Sequence, residues 1–189
     1  MARTPRGDVF HPSEVAIAHV VQRCVRRFYL MGYDRHSRRN YDHRKQWLED
    51  RLRQFASLFG IDLLCFSILS THFHLVLRSR PDVVKTWDDQ EVARRWLMIC
   101  PPRKDRKGKP LEPTASDLNT IRLDPDRLQE IRLRLSDISW WMRLLCQPLA
   151  AMANREEKQL GRFWQGRFRA TRICDEASLL RATEFPGVV

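Results

Sequence analysis

From Val15 to Cys24 apolar and polar residues alternate, with Val15, Ile17, His19, Val21 and Arg23 on one side of an extended chain and Ala16, Ala18, Val20, Gln22 and Cys24 on the other. This period of two, rich in β-branched residues, predicts a strand. A polar, Arg-rich stretch from Tyr33 to Asn40 predicts a loop. From about His43 the spacing lengthens: Trp47, Leu48, Leu52, Phe55, Leu58 and Phe59 form one helical stripe, with Gly60 as its C-terminal stop. Ile61 to Ile68 predicts a buried strand, Leu69-Ser70-Thr71 a corner, and His72 to Arg78 a second strand, together a hairpin at the centre of a sheet. Past Pro81 the pattern turns helical. Val92 to Ile99 predicts one helix, and Cys100 to Pro113, rich in Pro, Lys and Gly, predicts an exposed linker. Asp124-Pro125 is a helix start, with an acidic cap and Pro in the first turn. Leu128, Ile131, Leu135, Ile138, Met142 and Leu145 continue at helical spacing until Pro148 breaks or kinks the run. The order strand, helix, strand, strand, helix predicts an α+β domain: an antiparallel sheet with helices on one face.

Composition narrows the class. The chain has 189 residues, room for one ordinary domain, and its 43% apolar content with six Trp and nine Phe supplies a core. The apolar runs fall short of the ~20 residues that a membrane span requires. Residues 1–8 have no apolar stretch of the signal-peptide kind. Five cysteines (Cys24, Cys65, Cys100, Cys146 and Cys174) are scattered without a C-x-x-C, which argues against a disulfide framework or a zinc ribbon and fits a reduced, cytoplasmic protein. The net charge is +11, and 28 of the 34 cations are Arg. A flat guanidinium fork matches phosphate oxygens and stacks on bases, so this excess favours nucleic acid as a partner. Residues 1–53 carry 12 cations against 6 anions, whereas residues 81–137 are nearly balanced at 12 against 11. The middle therefore reads as an insertion with a solvated surface.

The sharpest chemical feature is His72-Phe73-His74. On a strand the two imidazoles share a face, with Cα atoms roughly 6.6 Å apart, while Phe73 turns to the other side. Such a pair is often two unrelated surface histidines. The apolar flanks favour a shared partner, because polar rings within a central strand need one. Two ligands are too few for closed structural zinc. An open site completed by an acidic or amide group and water suits Mg²⁺ or Mn²⁺ against phosphate oxygens.

Four segments, in this order, resemble the HUH-type single-tyrosine transposases, in both their insertion-sequence and REP-associated groups. They are Ala18-His19-Val20-Val21-Gln22-Arg23, Leu69-Ser70-Thr71-His72-Phe73-His74-Leu75-Val76, Gly161-Arg162-Phe163-Trp164-Gln165-Gly166-Arg167-Phe168, and Asp175-Glu176-Ala177-Ser178-Leu179-Leu180. The resemblance implies a ferredoxin- or RRM-like palm, one domain over residues 1–189 with a helical insertion at about 82–155. It also implies a homodimer that cuts and rejoins single-stranded or hairpin DNA. There His72 and His74 would hold Mg²⁺ or Mn²⁺ on the scissile phosphate while a tyrosine attacks it, forming a 5′-phosphotyrosine. A Tyr hydroxyl with a pKa of about 10 needs such positive help.

The resemblance also places that tyrosine on a helix after the W-Q-G-R-F segment, near an Asn or Gln that completes the metal site. Here the tyrosines are Tyr29, Tyr33 and Tyr41, and residues 181–189 contain neither Tyr nor Asn. The chain reads as a copy truncated before the catalytic tyrosine. Arg23, Arg167, Arg169 and Gln165 are the expected DNA contacts, with Trp164 and Phe168 as core. His19 shares a strand face with Arg23; as the default it is a packed, hydrogen-bonded histidine, with a role near the metal as the alternative. Trp140-Trp141 is expected in the core or on a dimer surface. Two other classes stay open: a non-catalytic binder of hairpin DNA or RNA, and a metal-dependent hydrolase using His72 and His74 with an acidic third ligand.

Overall fold

A computed structural model describes residues 13–25 and 28–175. Its strands are β1 (Ala16–Arg23), β2 (Tyr33–Asp34), β3 (Arg39–Asn40), β4 (Ile61–Ile68), β5 (His72–Ser79) and β6 (Arg169–Ile173). Its helices are α1 (Asp42–Leu58), α2 (Pro81–Val84), α3 (Asp89–Ile99), α4 (Ala115–Arg122), α5 (Pro125–Arg134) and α6 (Ile138–Glu157). The main sheet has the order β4-β5-β1-β6, and every neighbouring pair is antiparallel. With α1 crossing from β1 to β4 and α6 from β5 to β6, this is the β-α-β-β-α-β ferredoxin-like arrangement.

Alternation along the strands decides which face is covered. Ala18 and Val20 of β1 and Phe73, Leu75 and Leu77 of β5 are buried in one core with Leu48, Leu52 and Phe55 of α1 and Trp141, Leu145 and Leu149 of α6. Each such large side chain contributes roughly 1.5–3 kcal/mol. Trp141 is the hub, meeting Phe55 and Phe59 at ring distances of 5.3 and 5.1 Å. Arg44, buried in α1, ties that helix to the end of α6 through Glu156 (2.8 Å) and Glu157 (2.6 Å).

Four local expectations change. Tyr33 to Asn40 is not irregular: β2 and β3 pair around a turn in which the Asp34 carboxylate accepts the His36 and Ser37 N–H groups. Helix α1 stops just before Gly60 as expected, but Phe59, in an extended conformation, is its cap. Glycine is required at 60 by close approach, because a Cβ there would lie 2.1 Å from Val84 Cγ2. The stripe from Leu128 to Leu145 is two helices, not one: α5 ends at Arg134, and Asp137 starts α6 by accepting the Ser139 N–H at 2.6 Å. Pro148 lies inside α6 without ending it. An interior proline costs about 3 kcal/mol or more, and beyond it the burial of Leu149 and Ala153 and the pairing of Glu156 and Glu157 with Arg44 hold the helix.

The Asp124 and Pro125 start of α5 is as expected, with Asp124 accepting the Arg127 N–H. The Cys100 to Pro113 stretch is largely exposed, folded back by a bridge between Lys104 and Pro110. Helix α4, with its Thr114/Asp117 capping box, and strand β6 are additions to the sequence reading. Because α6 is the second crossover helix, the extra elements are those from Pro81 to Arg134; α6 itself, although it lies mostly within 82–155, is part of the palm. Among the described residues no helix is long and apolar enough to cross a membrane.

Candidate nucleic-acid interface and histidine cluster

The sheet face turned away from the main core carries the histidines. Phe73 is buried on the helix side, so His72 and His74 emerge together on the other. Register sets their surroundings: Arg23 is opposite His72, and Val21 and Ser67 flank His74. His19 lies diagonally from His74, and the two rings stack at 5.1 Å with His19 Nε2 2.9 Å from His74 Nδ1. Thr71 Oγ1 is 3.2 Å from His72 Nδ1. Burial, reinforced by His19, His72 and Arg23, pushes the His74 pKa down to about 4. Burial and Arg23 lower His72, and burial lowers His19. The rings are therefore neutral near pH 7, the form in which an imidazole donates a lone pair to a metal.

The pair can be tested as cation ligands. Two imidazoles bound to one ion at about 2.1 Å, with about 90–110° between them, have ring centroids about 4.6–5.3 Å apart. His72 and His74 are 5.1 Å apart. A hydrogen bond from the second ring nitrogen is how ligating histidines are oriented, and His19 and Thr71 stand at those nitrogens. The residues thus fit a divalent ion as two of its ligands. Among the described residues no group of three or more His, Cys, Asp or Glu side chains gathers as a metal site.

The expected DNA contacts converge. Arg23, Gln165, Arg167 and Arg169, with Val21, Gln22 and Gly166, line one cleft of about 420 Å³. Its construction is visible in the backbone. The Gln165 N–H donates to the Arg23 carbonyl at 2.9 Å, and the Val25 N–H to the Phe163 carbonyl. Gln22, buried at the end of β1, donates through Nε2 to the Gly166 carbonyl at 3.1 Å. Strand β6 then places Arg169 opposite Val21. Arg23, Arg167 and Arg169 are exposed, and among the described residues none has an ion-pair partner. In the 81–137 region the opposite holds: Arg94 and Arg95 pair with Glu91, Arg103 with Asp117, and Arg132 with Asp89. Many arginines of the balanced middle are thus neutralised locally, whereas the three in the cleft keep their charge.

The aromatics divide as expected. Phe163 and Phe168 are buried, and Trp164 packs edge-on to Phe73 while its Nε1 donates to the Cys146 carbonyl at 2.8 Å. Trp141 is core; Trp140 is half-buried and meets Trp96 edge-on. Tyr41 is buried at the start of α1 beneath Arg44 and stacks on Tyr29, and Tyr33 is exposed. The expected last segment from Glu176 onward lies outside the described residues.

His19, the alternative weighed for a place near the metal, is a direct neighbour of His74, an arrangement that depends on register. Gln22, which anchors the 161–168 segment, is a role that the sequence reading does not assign; a glutamine on the apolar side of a strand is its available signal. The chain matches no protein-family model and finds no significant match among curated proteins.

Proposed function

We propose that this protein binds single-stranded or hairpin DNA along the arginine cleft and leads one phosphate to the histidine pair, in the manner of the HUH single-tyrosine transposases. The observation that carries the reading is the convergence of Arg167, Arg169 and Gln165 on Arg23, whose backbone pairs across the sheet with His72; among the described residues none of these three arginines has an ion-pair partner. Arg23, Arg167 and Arg169 hold phosphates, and Gln165 offers an amide for sugar or base edges. His72 and His74 are the residues that would hold Mg²⁺ or Mn²⁺. When bound, the ion supplies Lewis-acid stabilisation at the phosphate. His19 keeps the His74 ring oriented, and burial keeps the His72 and His74 rings neutral.

A second reading, a binder without strand cleavage, is favoured by one observation: none of Tyr29, Tyr33 and Tyr41 lines the arginine cleft. One experiment addresses both. A labelled hairpin with a single-stranded flank is titrated by fluorescence anisotropy across a salt series, and the same mixtures with Mn²⁺ are run on a denaturing gel. Binding should weaken steeply with salt and exceed that of a plain duplex. Arg23→Gln, Arg167→Gln and Arg169→Gln together should reduce the salt slope by about 2, at about 0.7 per single-strand phosphate contact. No covalent adduct should appear if this chain acts as a binder. Salt-independent affinity, or tighter binding to duplex, would refute the cleft; an adduct would refute the second reading.

A further inference from the structure

Next to the arginine cleft, α6 and the 161–168 segment enclose a larger hollow of about 820 Å³. The two adjoin, with Gln22, Gly166 and Arg167 lining both. Their chemistry differs. The cleft is polar and cationic, whereas Trp140, Trp164 and Phe168 line the hollow, with Arg143 and Gln147 of α6 exposed along it one helical turn apart. The size is that of ligand pockets, about 300–1,000 Å³, which are mainly apolar with a few placed polar groups.

The walls are held rigidly. Trp164 is bonded to the Cys146 carbonyl of α6, and Gln22 to Gly166. Trp140 is fixed by Trp96 and by Arg134, whose guanidinium carbon is 4.0 Å from its ring centre. The Arg143 guanidinium carbon lies 4.8 Å from the same ring. A guanidinium braced on an indole is a flat cationic surface of the kind on which unstacked bases lie. A neighbouring carboxamide can meet both a donor and an acceptor on a base edge.

We infer that the hollow is a nucleobase site: one base of the strand whose phosphates rest on Arg23, Arg167 and Arg169 leaves its stack, lies against the Trp140–Arg143 pair and meets Gln147 at its edge. The inference rests on the cleft reading above. The wall that the two cavities share, with Arg167 on it, and the Arg143 guanidinium select a strand-borne base over a neutral apolar ligand or a second copy of the chain.

The test is an abasic scan of the flanked hairpin, read by anisotropy at several salt concentrations. At one position, loss of the base should weaken binding to the unaltered protein by about 5- to 100-fold, the range of base–aromatic stacking, with the salt slope unchanged. Arg143→Lys keeps the charge without the planar surface, and Gln147→Ala removes the amide. Both residues are exposed, so the variants should fold, which thermal melting checks. Each should bind the intact strand more weakly and show a reduced abasic penalty. Salt-dependent binding with no base-sensitive position, or a full penalty retained in both variants, overturns the base site alone. Binding that is absent or salt-independent overturns the cleft and this inference with it. A free mononucleotide that binds as tightly as the strand, and loses affinity in both variants, overturns the strand-borne base.

Discussion

The two faces of the sheet use neighbouring residues for opposite ends. In β5, Phe73 is fully buried under the helices, while His72 and His74 on either side of it face away. In β1, Ala18 and Val20 enter the same core, and His19, Val21 and Arg23 form the other face. One face is closed by apolar contact with α1 and α6. The other gathers three neutral imidazoles and ends at an arginine with no ion-pair partner among the described residues. A rigid sheet stabilised from one side can hold polar groups at set spacings on the other. Stability and binding should therefore separate at single-residue steps along one strand.

The strongest way to break this comparison is Phe73→Ala. It removes a fully buried ring that also supports Trp164 edge-on at 5.8 Å, and it should cost about 3–5 kcal/mol. Chemical denaturation measures this; a loss below about 1 kcal/mol would mean that the helix face is not the main source of stability. The companion change, His72→Ala with His74→Ala, should cost far less, about 1 kcal/mol for the lost contact with His19. It should nevertheless abolish Mn²⁺ binding in calorimetry or paramagnetic broadening. Unaltered Mn²⁺ binding would exclude the pair as ligands.

The last expected effect concerns pH dependence. An unfolded histidine takes up a proton as pH falls through about 6.5, but folded His74 does so only near 4. Between these values the unfolded chain binds more protons, so stability falls as pH falls through that window. His19 and His72 are shifted in the same direction. Melting temperatures from pH 7 to pH 4 should decline, less so in His74→Ala. An NMR titration placing the His74 midpoint above pH 6 would contradict the burial of that ring.

How far the chain announces its fold varies with the range of the interaction. The strand over 16–23, the hairpin of β4 and β5, and α1 and α5 were legible, because alternation, helical stripes and an Asp-Pro start act over a few residues. The split at Asp137 was missed because the apolar stripe continues at helical spacing across it. The persistence of α6 past Pro148 was missed because it depends on partners far away in sequence, including Arg44. Strand β6 was missed because Arg169–Ile173, with only Ala170 and Ile173 apolar, is half-exposed and owes its conformation to pairing with β1.

The candidate site divides in the same way. A strand's period alone puts His72 and His74 on one face, and a count of residues makes arginine the source of most of the positive charge. Arg23, Gln165, Arg167 and Arg169 stand out along the chain as well, but as separate candidates. Folding brings these four into one cleft, through the pairing of the β1 end with the 163–166 segment about 140 residues later. Register alone set His19 against His74, because a one-residue slip of β1 on β5 would send His19 to the opposite face. The charges that neutralise many arginines of the middle and leave the cleft cationic were likewise sorted by packing. Local pattern depends on neighbours in sequence, whereas the electrostatics of a site depends on which distant residues the fold places within a few ångströms.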